Sequence, residues 1–239
     1  MKKQKKWISL VLGILCFFQI NILPVQAEEY WPEGPQVAGE SVVVMEASTG
    51  TVLYEKNSHQ QSYPASITKI MTSLLAVENS SMDEEVTFSK NAVYLTEGSG
   101  ISRDVDEVMT MEECLYGLML ESANECGYAI AEHVGKNYDD FINMMNQKAK
   151  ELGCKDTHFN NPHGLPDDNH WTSAYDIALI SREALKNELF RMFVNTRRHT
   201  IPPTNKHKEE TYLSNHHKML NDYKGDKQYL YDYCIGGKT

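Results

Sequence analysis

Apolar residues recur along this chain with two different periods. From Ser41 to Ala47 the run is β-branched and apolar, and from Thr51 to Asn57 apolar and polar residues alternate, with Ser48-Thr49-Gly50 between them. A period of two is strand patterning, so these runs predict a β-hairpin with Gly50 at the positive-φ position. After Pro64 the period lengthens. Ile67, Ile70, Met71, Leu74 and Leu75 share one side of a helix predicted from about Ala65 to Glu78. A proline suits a helix start, where its missing N–H has no partner to lose.

From about Met82 to Asn195 the pattern is mostly helical. Thr110 with Glu113 forms a capping-box signature ahead of the apolar run Cys114 to Leu120. Glu125 to Val134 predicts a second helix stopped by Gly135, and Asp139 is read as the cap of a third that ends at Gly153. Phe159 to Asp168 holds two prolines and a glycine and is predicted as a loop. A fourth helix is predicted from about Ser173 to Lys186. Strand character returns near Arg197 to Ile201, where Pro202 and Pro203 end it, and again over Tyr229 to Ile235. The plan is α+β. A sheet drawn from both ends of the chain (36–79 and 196–239) carries a helical insertion (80–195).

The first residues change the compartment. Lys2, Lys3, Lys5 and Lys6 precede the apolar run Trp7 to Phe18, and Val25-Gln26-Ala27 is a small-residue cleavage site. Residues 1–27 therefore read as a secretory signal peptide. The other reading, an uncleaved membrane anchor, meets a run that is short for a full span and is broken by Gln19 and Asn21. Removing the signal leaves 212 residues with 19 basic and 33 acidic side chains, a net charge of −14. Such an acidic exported chain argues against nucleic acid as a partner. Cys114, Cys126, Cys154 and Cys234 remain, with no C-x-x-C pair. That excludes zinc ribbons and thioredoxin-like sites. Two disulfides would fit an exported chain, but the apolar flanks favour buried free thiols.

The candidate chemistry lies in three short motifs. Ser66-Ile67-Thr68-Lys69 sets a hydroxyl and an amine three residues apart, on one helix face. A serine needs an adjacent base, and a lysine serves only if burial or a nearby cation lowers its pKa. Thr87-Phe88-Ser89-Lys90 matches the same pattern, so the spacing alone is weak. Ser122-Ala123-Asn124 lies in a break between two apolar helices and supplies a second hydroxyl and an amide. Ser122 also reads as a plain helix cap, and Ser89-Lys90-Asn91 has the same form. Lys238-Thr239 supplies a cation and a hydroxyl able to hold a carboxylate. Read with Gly236-Gly237 as a phosphate loop, it fails, because Asp232 stands where a glycine is needed.

In this order the three motifs make up the set found in serine β-lactamases and penicillin-binding proteins. Val43 to Tyr54, Tyr63 to Lys69, Asn161 to Leu165 and Thr172 to Asp176 extend the likeness. From about Val42 to Thr239 the chain resembles the serine-type D-alanyl-D-alanine carboxypeptidases, the low-molecular-mass penicillin-binding proteins. The resemblance implies a β-lactamase/transpeptidase-like fold, an antiparallel sheet flanked by helices plus an all-helical part. It implies removal of the terminal D-alanine from peptidoglycan stem pentapeptides, outside the cytoplasmic membrane, with no metal or organic cofactor. In that family's terms Ser66 attacks the carbonyl between the two D-alanines, and Lys69 takes its proton. Ser122 relays a proton to the leaving amine. Asn124 orients Lys69 and binds the substrate amide. Lys238 and Thr239 hold the terminal carboxylate, and Lys238 helps keep Lys69 neutral. β-Lactams acylate the same serine.

The glycine that completes Lys-Thr-Gly does not follow Thr239, nor does the residue whose N–H serves as the second oxyanion donor in the family. A sequence fragment is the expectation, with the later strands and any membrane-attaching C-terminal segment missing. Loss of one such donor typically costs about 10²–10³ in rate. Two alternatives follow: a penicillin-binding remnant without turnover, and a class A-like β-lactamase. The latter needs a glutamate in a loop about 35–40 residues after Ser122, and Thr157 to Asn161 has none. His163 and His170 lack a third ligand at fitting spacing, so their expected task is to order their loop rather than bind metal.

Overall fold

The computed structural model describes residues 34–222, 225 and 227–239, so the signal-peptide reading of residues 1–27 lies outside the described residues. The chain divides after Val37, and the unit Ala38–Thr239 is described by itself. Strands β1 (Val42–Met45) and β2 (Val52–Lys56) form the expected antiparallel hairpin, with Gly50 at φ 79°. The Glu46 carboxylate accepts hydrogen bonds from the N–H and hydroxyl groups of Thr49 and Ser48. These hold its pKa down to about 2 and close the turn locally.

The helix expected from Ala65 begins instead as a 3-10 turn, Ala65–Thr68, and becomes α-helical at α1 (Lys69–Asn79). Every residue of α1 from Lys69 to Val77 is buried. Such a helix suits the centre of a protein, and α1 is packed by α3 (Met111–Leu120), α4 (Asn124–Val134) and α6 (Ala174–Ala184). The capping box of α3 is present, with both the Thr110 and Glu113 side chains engaged. For α5 (Tyr138–Glu151) the cap is Asn137 rather than Asp139. The Asn137 carboxamide oxygen reaches the Asp140 N–H at 2.8 Å, whereas Asp139 is already inside the first turn. Ser173 caps α6, and α7 (Glu188–Asn195) follows under an Asn187 cap.

Two features of the middle segment have little sequence signal. Strands β3 (Glu85–Thr87) and β4 (Val108–Thr110) pair across a gap of 20 residues, too far apart for turn chemistry to announce the pairing. The short α2 (Lys90–Tyr94) starts where Ser89 Oγ caps the Ala92 N–H at 3.0 Å. The second Ser/Thr-x-x-Lys match is thereby split between a strand and a helix cap, with Lys90 in solvent.

Near the C-terminus, β5 (Arg198–Ile201) pairs with β6 (Thr211–Ser214), a partner without a clear sequence signature. The class is α+β as expected, but the single sheet is not formed. Among the described residues there are three separate two-stranded sheets. Tyr229 to Ile235 is not a strand. Its aromatic residues are exposed and it bonds through isolated contacts such as Tyr231 N–H to the Met219 carbonyl at 2.9 Å. Strand propensity needs a ladder partner, and none lies beside this run among the described residues. Cys114, Cys126, Cys154 and Cys234 are free thiols, the first two fully buried.

Candidate active site

Two strained turns and a glycine turn meet at one place. Ala65, just before Ser66, has φ 49°, and Ser122 has φ 61°. Such left-handed non-glycine residues cost about 1–3 kcal/mol each and cluster where geometry is imposed for a purpose. Gly164, at φ 90°, lies against Ala65, and a Cβ there would overlap the Ala65 carbonyl oxygen. The close approach of these backbones makes the glycine necessary.

Lys69 is fully buried, at 0% exposure. Its Nζ lies 3.1 Å from Ser66 Oγ, 2.7 Å from Asn124 Oδ1 and 2.6 Å from the His163 carbonyl oxygen. The Asn124 orientation is fixed by its other end, where Nδ2 donates to the Glu97 carbonyl at 2.5 Å. An uncharged amine has two N–H groups and one lone pair. Asn124 Oδ1 and the His163 carbonyl can only accept, so they take the two N–H groups. The lone pair is left facing the Ser66 hydroxyl. Burial lowers the Lys69 pKa to about 7, with the Lys238 cation as the next cause. Near neutral pH a large share of Lys69 is therefore the free base.

Lys238 is half-buried, and its Nζ donates to Ser122 Oγ at 3.0 Å. Burial lowers its own pKa to about 8. Ser122 is not the cap of α4. That position is Ala123, with no side-chain bond. The left-handed backbone at Ser122 instead aims its hydroxyl toward Lys238. Asn124 opens α4, and its own N–H donates to the Ser99 carbonyl at 2.8 Å. Ser66, Lys69 and Asn124 thus form one hydrogen-bonded group, and Ser122 and Lys238 form a second. Thr239 is exposed, and its carbonyl oxygen rather than its hydroxyl meets Lys238 Nζ.

The Asn161–Leu165 loop supplies what the motifs lacked. Asn161 Oδ1 accepts from the N–H of Gly164 at 2.6 Å and of His163 at 3.3 Å, and its Nδ2 donates to the Leu165 carbonyl. This side chain holds the turn that presents the His163 carbonyl to Lys69. A backbone acceptor has no residue signature, so only Asn161-Pro-His-Gly hinted at it. The His163 and His170 rings are buried, which drives their pKa values down to about 3 and about 4. Both are neutral. A different cluster, Asp104, Glu107 and His207, brings possible metal ligands within 4.8 Å. Its Glu107 carboxylate is already committed to Arg103, Thr204, His207 and the Asp104 N–H.

Comparison with known proteins gives a consistent picture. The family model for D-alanyl-D-alanine carboxypeptidases (Peptidase S11) matches residues 28–228, a span that includes Ser66, Lys69, Ser122 and Asn124 and ends before Lys238. The D-alanyl-D-alanine carboxypeptidase DacF of Bacillus subtilis is 42% identical over 162 residues, 66% of this chain and 41% of that protein. A Streptomyces D-alanyl-D-alanine carboxypeptidase is 30% identical over 219 residues, 86% of this chain and 72% of that protein. A crystal structure of a Streptomyces DD-transpeptidase superposes with a TM-score of 0.73 at 30% identity, over 81% of this chain and 79% of that one. The chain spans less than half the length of the first three curated relatives.

Proposed function

Because the chain belongs to the D-alanyl-D-alanine carboxypeptidase family, we propose that Ser66 is the nucleophile of a serine DD-carboxypeptidase acting on peptidoglycan stem peptides. One observation carries this reading. A buried lysine at 3.1 Å from a serine hydroxyl has its two N–H groups assigned to other acceptors. Ser66 Oγ attacks the carbonyl of the penultimate D-alanine while Lys69 Nζ takes the hydroxyl proton. The oxyanion that forms is met by the Ser66 N–H in the first turn of the 3-10 segment, where backbone donors are unpaired. Collapse breaks the C–N bond and expels D-alanine: the proton that Lys69 took from Ser66 passes by way of Ser122 Oγ to the leaving nitrogen, which leaves Lys69 neutral again, and Lys238 supports the charge at Ser122 Oγ. The substrate carboxylate lies toward Lys238 and Thr239. Water then releases the acyl group. The leader at residues 1–27 sends the chain across the membrane to the wall.

A β-lactam should acylate the same serine, and deacylation should be slow. A fast β-lactamase needs a carboxylate to activate water. Of the two acids of the Asn160–His170 loop, Asp167 is turned to Asn160 Nδ2 and the Asn169 N–H, and Asp168 is exposed to solvent. Intact-mass spectrometry after benzylpenicillin treatment should show one stable penicilloyl adduct, absent in Ser66→Ala. No adduct, or an adduct that persists in Ser66→Ala, would refute the assignment. Rapid release of penicilloate would favour a β-lactamase.

A further inference from the structure

The Asn160–Gly164 loop touches the nucleophile turn and the start of α1 at three points. The His163 carbonyl takes Lys69 Nζ, the Pro162 carbonyl takes Thr72 Oγ1 at 2.6 Å, and Gly164 lies on the Ala65 carbonyl. All three require the loop at one height above α1, yet the loop belongs to no helix or strand. Besides Lys69 and Thr72, a third side chain reaches across, and it bonds at both ends. His170 is 1% exposed, and its Nδ1 accepts from the N–H of Asn160 at 2.9 Å and of Asn161 at 3.4 Å. Its Nε2 lies 2.8 Å from Thr68 Oγ1. Thr68 is fully buried, sits between Ser66 and Lys69 in sequence, and makes no side-chain cap for α1.

The bond polarity follows from the partners. A backbone N–H only donates, so Nδ1 carries the lone pair, and the ring hydrogen is on Nε2. Nε2–H therefore donates to Thr68 Oγ1. A planar ring of fixed width joins the nucleophile turn to the loop, with one hydrogen-bond direction on each side.

We propose that His170 is a positioning residue for acyl transfer: its imidazole sets the separation between the Ser66–Lys69 turn and the His163 carbonyl, and so the direction in which Lys69 Nζ meets Ser66 Oγ. The inference rests on the serine-acylation reading above. The other ionisable groups that act on Lys69 are Lys238 near the C-terminus and Glu125 and Cys126 on α4, and the His163 ring on the loop also faces it. Burial keeps the His163 ring neutral, and only His163 moves with the loop that His170 holds.

The test uses the full chain with Thr68→Val, His170→Leu and His170→Gln. Thr68→Val keeps the volume and removes one end of the bridge. Gln retains a donor and an acceptor. Two readouts are taken on folded protein: benzylpenicillin acylation, resolved into limiting rate and half-saturation, and the titration of Lys69 by ε-13C lysine NMR. Thr68→Val and His170→Leu should slow the limiting rate about 10–100-fold, as displacements near 1 Å do. Half-saturation should move by only about threefold or less. The Lys69 midpoint should rise above its value of about 7, because a loosened loop lets water reach the amine. His170→Gln should restore both. An unchanged limiting rate and Lys69 midpoint in Thr68→Val overturns the proposal, as does a His170→Gln that behaves like His170→Leu. If His170→Leu does not fold, the isosteric Thr68→Val decides. If the wild type takes no adduct, the acylation reading fails, and the Lys69 titration still decides the positioning role.

Discussion

At the residue scale the site depends on a few positions where one atom more or less is decisive. Gly164 is the sharpest case. Its φ of 90° and the Ala65 carbonyl in the path of any Cβ leave no low-energy route for a side chain. Gly164→Ala must push the loop off the turn or twist Ala65 further, at a cost of at least about 1–3 kcal/mol. Thermal denaturation should show that loss, and benzylpenicillin acylation should fall with it, since the His163 carbonyl moves with Gly164. An unchanged melting temperature would show that the backbones are free to part. Ser66, Lys69, Ser122 and Asn124 were legible in the sequence as candidates because side-chain chemistry has letters. The His163 carbonyl was not, because every residue has one.

At the element scale the two Ser/Thr-x-x-Lys matches show how the surrounding elements set a lysine's environment. Ser66–Lys69 crosses from a 3-10 turn into a buried helix, so the lysine loses water. Thr87–Lys90 crosses from a strand into an exposed helix start, so its lysine keeps it. The helices were readable from period and caps. The joined sheet was not, because Tyr229 to Ile235 has strand composition without a strand beside it. A similar dependence on distant partners governs the Arg103–Glu107 pair. Glu107 is fully buried, and Arg103 Nη1 meets it at 2.9 Å while Arg103 Nη2 reaches Thr211 Oγ1 on β6. Removing one partner of a buried ion pair typically costs about 3–5 kcal/mol. Arg103→Met should show that loss in urea unfolding. A change within about 0.5 kcal/mol, as at an ordinary surface site, would show that Thr204, His207 and the Asp104 N–H suffice for Glu107. Phe141, fully buried on the inner face of α5, offers an apolar comparison, since Phe→Ala in a core costs about 3–5 kcal/mol.

At the scale of the whole molecule, buried neutral bases link folding to pH. His163 and His170 have folded pKa values of about 3 and about 4, below the ordinary 6.5. Between those values and pH 6.5 the unfolded chain binds protons that the folded chain refuses, so stability falls as pH drops through this window. A tenfold loss of proton affinity corresponds to about 1.4 kcal/mol, so the two rings together put several kcal/mol at stake. Melting temperature should climb steeply between pH 4 and 6.5, and His163→Gln should flatten the climb. A flat wild-type profile would mean that these rings are protonated inside the fold. The central claim concerns the other buried base, Lys69, as the free amine that activates Ser66. Its direct test is the pH dependence of Ser66 acylation by benzylpenicillin, followed by intact mass. The rate should rise with an apparent pKa of about 7 and then level off, and Lys238→Ala, which removes the neighbouring cation, should move that midpoint upward. A rate that does not change with pH across this range, or a midpoint that stays in place without Lys238, would contradict it.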